Sequence, residues 1–258
     1  MDFVMSNSKF QDFLVMCPIE FKAKHIDKII QFEPTEAMMW GSFFETLVIG
    51  GGIGGAFSFK DVPNGEKLMN APIYERVKQQ AQLCKEWLKI LGGKVLSRQE
   101  HIRTEFVDSS GQAIPVEGTL DIRYGWEDGR QAVIDLKFTG DAESGFGKFA
   151  WATPEKMDLT QIVHYGLLTE KKHKIPFPLT KYWVFDSKPA MNKKLIDVRV
   201  SENAKYHHIE KFSEVYNEIS LAIAMDDWKP KNTYENCSKC KAPCKFQRIM
   251  PEDYIVEL

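Results

Sequence analysis

Asp121, Asp135 and Lys137 are the residues whose types and spacing most readily do chemistry. They sit on two short apolar runs, Gly118-Thr119-Leu120-Asp121-Ile122-Arg123 and Ala132-Val133-Ile134-Asp135-Leu136-Lys137. The linker between the runs contains Trp126-Glu127-Asp128-Gly129-Arg130, and its Asp-Gly pair favours a tight hairpin. Side chains alternate faces along a strand, so Asp135 and Lys137 share one face, and Asp121 on the neighbouring strand reaches the same face if the register allows. Carboxylates are depleted in strands. Two of them beside an ammonium suit a hard divalent cation such as Mg²⁺, which takes oxygen ligands and keeps several waters. Such an ion polarises phosphate and lowers the pKa of bound water. The plainer reading of the same residues is a surface ion pair on an exposed hairpin.

Those residues need elements to hold them. Residues 94–107 read as a strand, Asp108-Ser109-Ser110-Gly111 as a turn, and 113–118 as the lead into the strand bearing Asp121. The stretch 94–138 is therefore predicted to be an antiparallel meander. Helices are predicted over 6–16 (capped by Ser6 or Ser8), 35–49 (capped by Thr35, stopped by Gly50), 72–91, 154–170 and 204–225. Cys84 falls on the apolar side of the third helix and reads as core. Further strands are predicted over 181–185 and 195–200. The glycine-rich run 50–55 follows a helix rather than a strand, which argues for a connector and against a nucleotide-binding loop. The long segment 139–158 carries Phe146, Lys148, Phe149 and Trp151. These could stack on bases of single-stranded ends, or the aromatics could fold back onto the core. His164 reads as structural or exposed, and His207-His208 as surface.

The bulk numbers narrow the class. At 258 residues with 43% hydrophobic and 12% aromatic content, the chain can bury a sizeable core. No run of 18 apolar residues occurs, so no membrane span is expected. Met1-Asp2-Phe3-Val4-Met5 lacks the basic and apolar regions of a signal peptide, and a cytoplasmic location is expected. A net charge of −2 advertises no basic face, so positive charge for nucleic acid would be confined to a groove. Lysines cluster in Lys171-Lys172-His173-Lys174, Lys193-Lys194 and Lys239-Cys240-Lys241, each of which also reads as solvated surface. Five cysteines are present. Cys237, Cys240 and Cys244 crowd together as Cys-x₂-Cys-x₃-Cys, a spacing that favours metal over disulfides. With Cys17 as a fourth ligand they suit tetrahedral Zn²⁺ or a four-iron cluster.

Gly118-x-x-Asp121 followed by Ile134-Asp135-Leu136-Lys137-x-Thr139-Gly140 resembles the core of the PD-(D/E)XK nuclease superfamily, in its RecB-like branch. Ser8-Lys9-Phe10, Phe13 and Cys17-Pro18-Ile19-Glu20-Phe21 resemble that branch's N-terminal segment. Gly41-Ser42-Phe43-Phe44-Glu45 falls where the family carries a metal-binding His or Glu. Gln161-x-x-x-Tyr165 matches its Gln-x-x-x-Tyr pair, and the cysteine tail is similar to that of the iron–sulfur nucleases, namely the nuclease half of AddB and the CRISPR-adaptation nuclease. The tail departs from their Cys-x₂-Cys-x₅-Cys spacing.

The resemblance implies an α/β, restriction-endonuclease-like core with a mixed central sheet flanked by helices. It implies one domain over 1–258, with a helical segment 1–93, a core 94–200 and a C-terminal helix plus cysteine tail 201–258. It implies Mg²⁺- or Mn²⁺-dependent hydrolysis of DNA. Glu45, Asp121, Asp135 and the Leu136 carbonyl would hold the ion, Lys137 would orient water, and Gln161 and Tyr165 would hold substrate. Cys17, Cys237, Cys240 and Cys244 would hold a [4Fe–4S] cluster or Zn²⁺. The expected activity is an exonuclease acting on linear or single-stranded DNA ends in recombination, repair or phage DNA processing, with a recombination partner protein as a possible associate. The alternatives are a CRISPR-spacer-processing or other endonuclease, and a non-cleaving DNA-binding module.

Overall fold

Residues 3–30, 34–50, 56–62, 65–147, 149–229 and 242 are described by this computed structural model. In chain order the elements are β1 (Met5–Ser6), α1 (Asn7–Val15), α2 (Pro18–Phe21), α3 (Glu36–Ile49), α4 (Gly65–Met69) and α5 (Pro72–Ile90). They continue as β2 (Lys94–Val107), β3 (Ala113–Gly125), β4 (Gln131–Thr139), α6 (Thr160–His173), β5 (Leu179–Asp186), β6 (Lys193–Val198) and α7 (Glu202–Met225). A π-helical turn, Lys22–Ile26, follows α2. The residues divide into two compact units. One comprises Met1–Glu33, Phe106–Val116 and Ile209–Leu258, and the other Pro34–Glu105 and Glu117–His208.

The second unit is an α/β core of the expected restriction-endonuclease-like kind. β2 pairs with β3, β3 runs antiparallel to β4, β4 parallel to β5, and β5 antiparallel to β6. The parallel pair needs a long crossover, which α6 supplies. Even-numbered strand residues Ile122, Tyr124, Ala132, Ile134 and Leu136 join Trp183 and Phe185 of β5 in one apolar layer. Trp40, Phe43, Phe44 and Val48 of α3 and Val77, Ala81, Cys84 and Leu88 of α5 cover it. Ala132 to Leu136 are all buried, as a strand covered on both faces should be. Burial pushes the Cys84 thiol up to about 12, so it behaves as a core hydrophobe.

The local signals act as expected at most boundaries. The Thr35 side chain accepts from the Met38 N–H, and Gly50 ends α3 in the left-handed region at φ 91°. One helix start differs from expectation. Pro154 opens only a short 3₁₀ turn, Pro154–Lys156, and α6 begins at Thr160. The Asp158 carboxylate accepts the Thr160 N–H at 2.9 Å, so the acidic side chain, not the proline, sets the start.

The first unit has its own small core. Phe10 stacks on Phe212 at 4.2 Å between centroids, and Phe13 meets Phe21 edge-on at 5.1 Å. Ser6 caps α1 by accepting from the Lys9 N–H. The 108–112 turn is tied by Asp108, which accepts from the Ser110 and Gln112 N–H groups and from the Ser213 hydroxyl at 2.5 Å. Among the described residues no helix is long and apolar enough to cross a membrane.

Candidate active site

The β3–β4 ladder runs from Gly125↔Gln131 to Ile122↔Ile134. Asp121 and Asp135 are the next residues on their strands, at the point where the two strands part. β4 meanwhile stays paired with β5 as far as Thr139↔Asp186. The fork leaves the Leu136 N–H without a β3 carbonyl, and the Asp121 Oδ2 accepts it at 2.7 Å. One acid therefore satisfies the broken ladder and is held by it.

Asp135 is treated differently. Its side chain is 1% exposed, yet neither carboxylate oxygen receives a well-directed hydrogen bond. The Lys137 Nζ lies 2.5 Å from Oδ2 as an ion pair. The ammonium is itself held beside aromatic faces, 5.6 Å from the Phe149 centroid and 6.0 Å from that of Tyr182.

Glu45 comes from α3. Its carboxyl is in hydrogen-bonding contact with that of Asp121. Gln99 of β2 donates from Nε2 to Glu45 Oε1, and its backbone is left-handed at φ 48°. A non-glycine residue in that region inside a strand is costly and re-aims its side chain. Here it turns the amide onto the acid. Gln99 is the site residue that sequence reasoning missed. The available hint was that Ser97 to His101 contains no apolar residue in an otherwise alternating strand.

Gln161 and Tyr165 lie one turn apart on α6, and the Gln161 Nε2 donates to the Tyr165 hydroxyl at 3.0 Å. The phenol is thus an acceptor for Gln161 and keeps its own proton to donate. A Cβ on Gly118 would meet Leu168 Cδ1 at 2.7 Å and Tyr165 Cε1 at 3.1 Å, so the glycine is what lets α6 come this close to β3. His164 fixes the same contact: its Nε2 lies 3.0 Å from the Glu117 carbonyl, which can only accept, so Nε2 carries the proton. Burial lowers the His164 pKa to about 4. His208 corrects the surface expectation for the His207-His208 pair. It lies 3.4 Å from His164 Nδ1, and burial holds it well below the usual histidine value. His207 is exposed, as expected.

Electrostatically the site is a cluster of acids around one amine, with Asp135 buried and Asp121 and Glu45 half-buried. Burial pushes Asp121 up to about 7, with the Glu45 charge adding to it and Lys137 and the Leu136 N–H opposing. Burial likewise raises Asp135 to about 7, with Lys137 opposing and Asp121 reinforcing. Burial alone would lower Lys137, but Asp135, Asp121 and Glu45 outweigh it and its pKa rises, so it stays an ammonium. Burial and the acids together raise the Tyr165 phenol, which stays protonated. A second positive charge in this cluster would let both aspartates ionise.

Among the described residues, no group of three or more His, Cys, Asp or Glu is set ready to close on an ion. The acids are instead turned toward Lys137, Leu136 N and one another. The Asp135 oxygens, which have an ion pair with Lys137 but no well-directed hydrogen bond, nevertheless fit a hard cation, since a buried carboxylate so sparsely partnered is stabilised by a charge that coordinates it. Cys17 is buried at the start of α2. Cys237, Cys240 and Cys244 lie outside the described residues, as do Lys148 and the run 51–55. Of the loop aromatics, Phe149 and Trp151 fold back, stacked at 4.7 Å and packed on Tyr182, while Phe146 is 87% exposed.

No family model and no curated protein matches the chain. Among solved structures it is similar to "Putative exonuclease" from Eubacterium rectale, with a TM-score of 0.57 and 13% identity over 92% of this chain and 86% of that one. At that identity the likeness speaks for the fold, a nuclease-like α/β core. SSO0001 overlays at a TM-score of 0.33 with 14% identity, covering 95% of this chain and 100% of that one, too loose to argue from.

Proposed function

We propose that this chain is a divalent-metal-dependent deoxyribonuclease of the RecB-like branch, acting as an exonuclease on DNA ends. The observation that carries the reading is Asp135: fully buried, with the Lys137 ammonium at 2.5 Å in place of any well-directed hydrogen bond, and grouped with Asp121 and Glu45 where β3 and β4 part. Its partner is one amine and not the set of backbone donors that holds a structural carboxylate. The exonuclease named for the Eubacterium rectale structure supports the choice of chemistry.

Asp135, Asp121, Glu45 and the Leu136 carbonyl are the residues that would hold Mg²⁺ or Mn²⁺. When bound, such an ion acts as a Lewis acid on phosphoryl oxygen and makes water a competent nucleophile. Lys137 keeps its charge, so it offsets the negative charge that builds on the phosphoryl group and orients the attacking water. Tyr165, protonated and fixed by Gln161, donates to a phosphate oxygen. Phe149 and Tyr182 flank the lysine and leave it 20% exposed, and this partial shielding strengthens each of these interactions. Recombination, repair or phage DNA processing are the settings in which such an enzyme is used. A cluster or Zn²⁺ at Cys17, Cys237, Cys240 and Cys244 belongs to the same reading and rests on their sequence spacing alone. Metal analysis and visible absorbance of anaerobically prepared protein distinguish iron from zinc and from neither.

The test is cleavage of end-labelled linear duplex and single-stranded DNA by the purified chain with Mg²⁺ or Mn²⁺, beside Asp135→Asn. Progressive shortening from ends, lost in the variant and in chelator, is the expected result. Discrete internal cuts would make it an endonuclease. Binding without cleavage under every metal would sink the reading in favour of a DNA-binding module.

A further inference from the structure

A cavity of about 590 Å³ lies between the C-terminal half of α3, the C-terminal half of α5 and the start of β2. That volume is within the range of small-molecule sites. Its chemistry is divided. Leu47 and Val95, backed by buried Leu88 and Tyr124, give it an apolar side, and Lys85, Lys89 and Arg98 give it three cations. Lys85 and Lys89 are four apart on α5 and so share a face. None of the three cations takes part in an ion pair among the described residues, whereas Lys78, on the same helix, is paired with Glu75. The nearby Glu86 is not part of the lining and accepts from Gln82 instead.

The apolar side is fixed. The Tyr124 hydroxyl donates to the Leu88 carbonyl at 3.0 Å and accepts the Gly93 N–H at 2.8 Å, tying the end of α5 to β3. A Cβ at Gly93 would meet the Gly125 carbonyl oxygen at 2.3 Å, so this junction admits only glycine. The cavity is also linked to the acid cluster by two short covalent paths. Arg98 precedes Gln99, whose amide holds Glu45. The wall residues Leu47 and Ile49 follow Glu45 on α3, the latter about 6 Å further along the helix axis.

We infer that this cavity binds one nucleotide unit, its phosphate on Lys85, Lys89 and Arg98 and its base or sugar against Leu47 and Val95. The chain's net charge is −2, so three uncompensated cations at one concavity mark a local anion site and not a generally basic surface. The acid cluster repels phosphate until a cation is present, and a cationic cavity beside it retains the strand. The occupant is a nucleotide of the strand being processed or a free mononucleotide, which share this chemistry. The inference rests on the nuclease reading for its choice of ligand.

The experiment measures binding of a labelled short single-stranded oligodeoxynucleotide to the full-length chain in chelator, by anisotropy across a salt series, with deoxyadenosine monophosphate as a competitor. The variants are Lys85→Ala/Lys89→Ala and Arg98→Ala, with Lys78→Ala as an off-site control and Lys85→Arg/Lys89→Arg as the charge-keeping rescue. The double alanine variant is expected to lose about tenfold or more in affinity, and the slope of log K against log salt to fall by about 0.7 per cation removed. The arginine pair restores both. Displacement by the mononucleotide assigns the cavity to free nucleotides as well, and its failure to compete assigns the cavity to the strand. Wild-type affinity and slope in the alanine variants overturn the inference. If those variants lose binding while the wild type cleaves nothing under any metal, the cavity stands and the nuclease reading falls. If the wild type cleaves and the variants keep its affinity and KM, the reverse holds.

Discussion

Two buried aspartates in one sheet have opposite surroundings. Asp186, at the end of β5, accepts from the Ala142 N–H at 3.2 Å, the Lys188 N–H at 3.2 Å, the Asn192 N–H at 2.9 Å and the Asn192 amide at 3.1 Å. Asp135, in the adjoining strand, accepts from no well-directed donor and has only an ion pair. Burying a carboxylate is tolerable when donors replace water and costly when they do not. Asp186 is therefore built to tie the 186–192 turn to 142. Asp135 depends on a neighbouring charge, which Lys137 supplies and a bound cation would add to.

The widest separation between the two comes from removing each. Asp135→Asn should cut DNA cleavage by about 10³-fold or more, roughly 4 kcal/mol of barrier, while the melting temperature stays level or rises. Asp186→Ala should do the reverse in kind. Three backbone N–H groups lose their acceptor, and stability should fall by roughly 3–5 kcal/mol, read by chemical denaturation. Equal melting losses in both variants would erase the distinction.

A pH series sharpens it. The unfolded-state value for Asp135 is 3.8 and burial raises the folded value to about 7. Between those values the native protein holds a proton that the unfolded chain has released, so native stability falls as pH rises through that window and levels off above it. Asp135→Asn lacks this loss, so its stability advantage over wild type should grow from about pH 4 to about pH 7. Saturating Mn²⁺ should shrink the advantage by stabilising the ionised wild type, with protons released on binding as calorimetry in buffers of different ionisation enthalpy would show. A constant advantage across the range would mean that Asp135 is ionised throughout.

Glycines offer a smaller pair of tests. Gly118→Ala drives a Cβ into Leu168 and Tyr165 of α6 and should cost roughly 1–3 kcal/mol. Because Tyr165 moves with α6, cleavage should fall too. Gly41→Ala in α3 meets nothing within 4 Å and should gain about 0.5–1 kcal/mol from helix propensity alone. A stabilised Gly41→Ala that no longer cleaves would show that substrate needs that open space.

Much of the scaffold was legible before the structure. The 94–107 strand, the Thr35 cap, the Gly50 stop and the core role of Cys84 follow from local propensity and periodicity, which act over a few residues. The sequence points to Pro154 as the start of α6 because proline is a strong start signal, whereas the Asx turn at Asp158 is a quieter one beside it. His208 reads as surface from the sequence because nothing nearby in the chain shows that it meets His164, 44 residues away.

For the site, the sequence alone determined which acids and which amine exist, and that Asp135 and Lys137 must share a face of one strand. Covalent order and the two-residue strand period settle that much. Only the tertiary structure decided that the β3–β4 ladder ends at Ile122↔Ile134, that a left-handed Gln99 meets Glu45 across 54 residues, and that Asp135 is buried with an ion pair to Lys137 but no well-directed hydrogen bond. Pairing limits and desolvation depend on every neighbour in space at once. A carboxylate near pKa 7 is therefore a property of the packed molecule, while the carboxylate itself is a property of the chain.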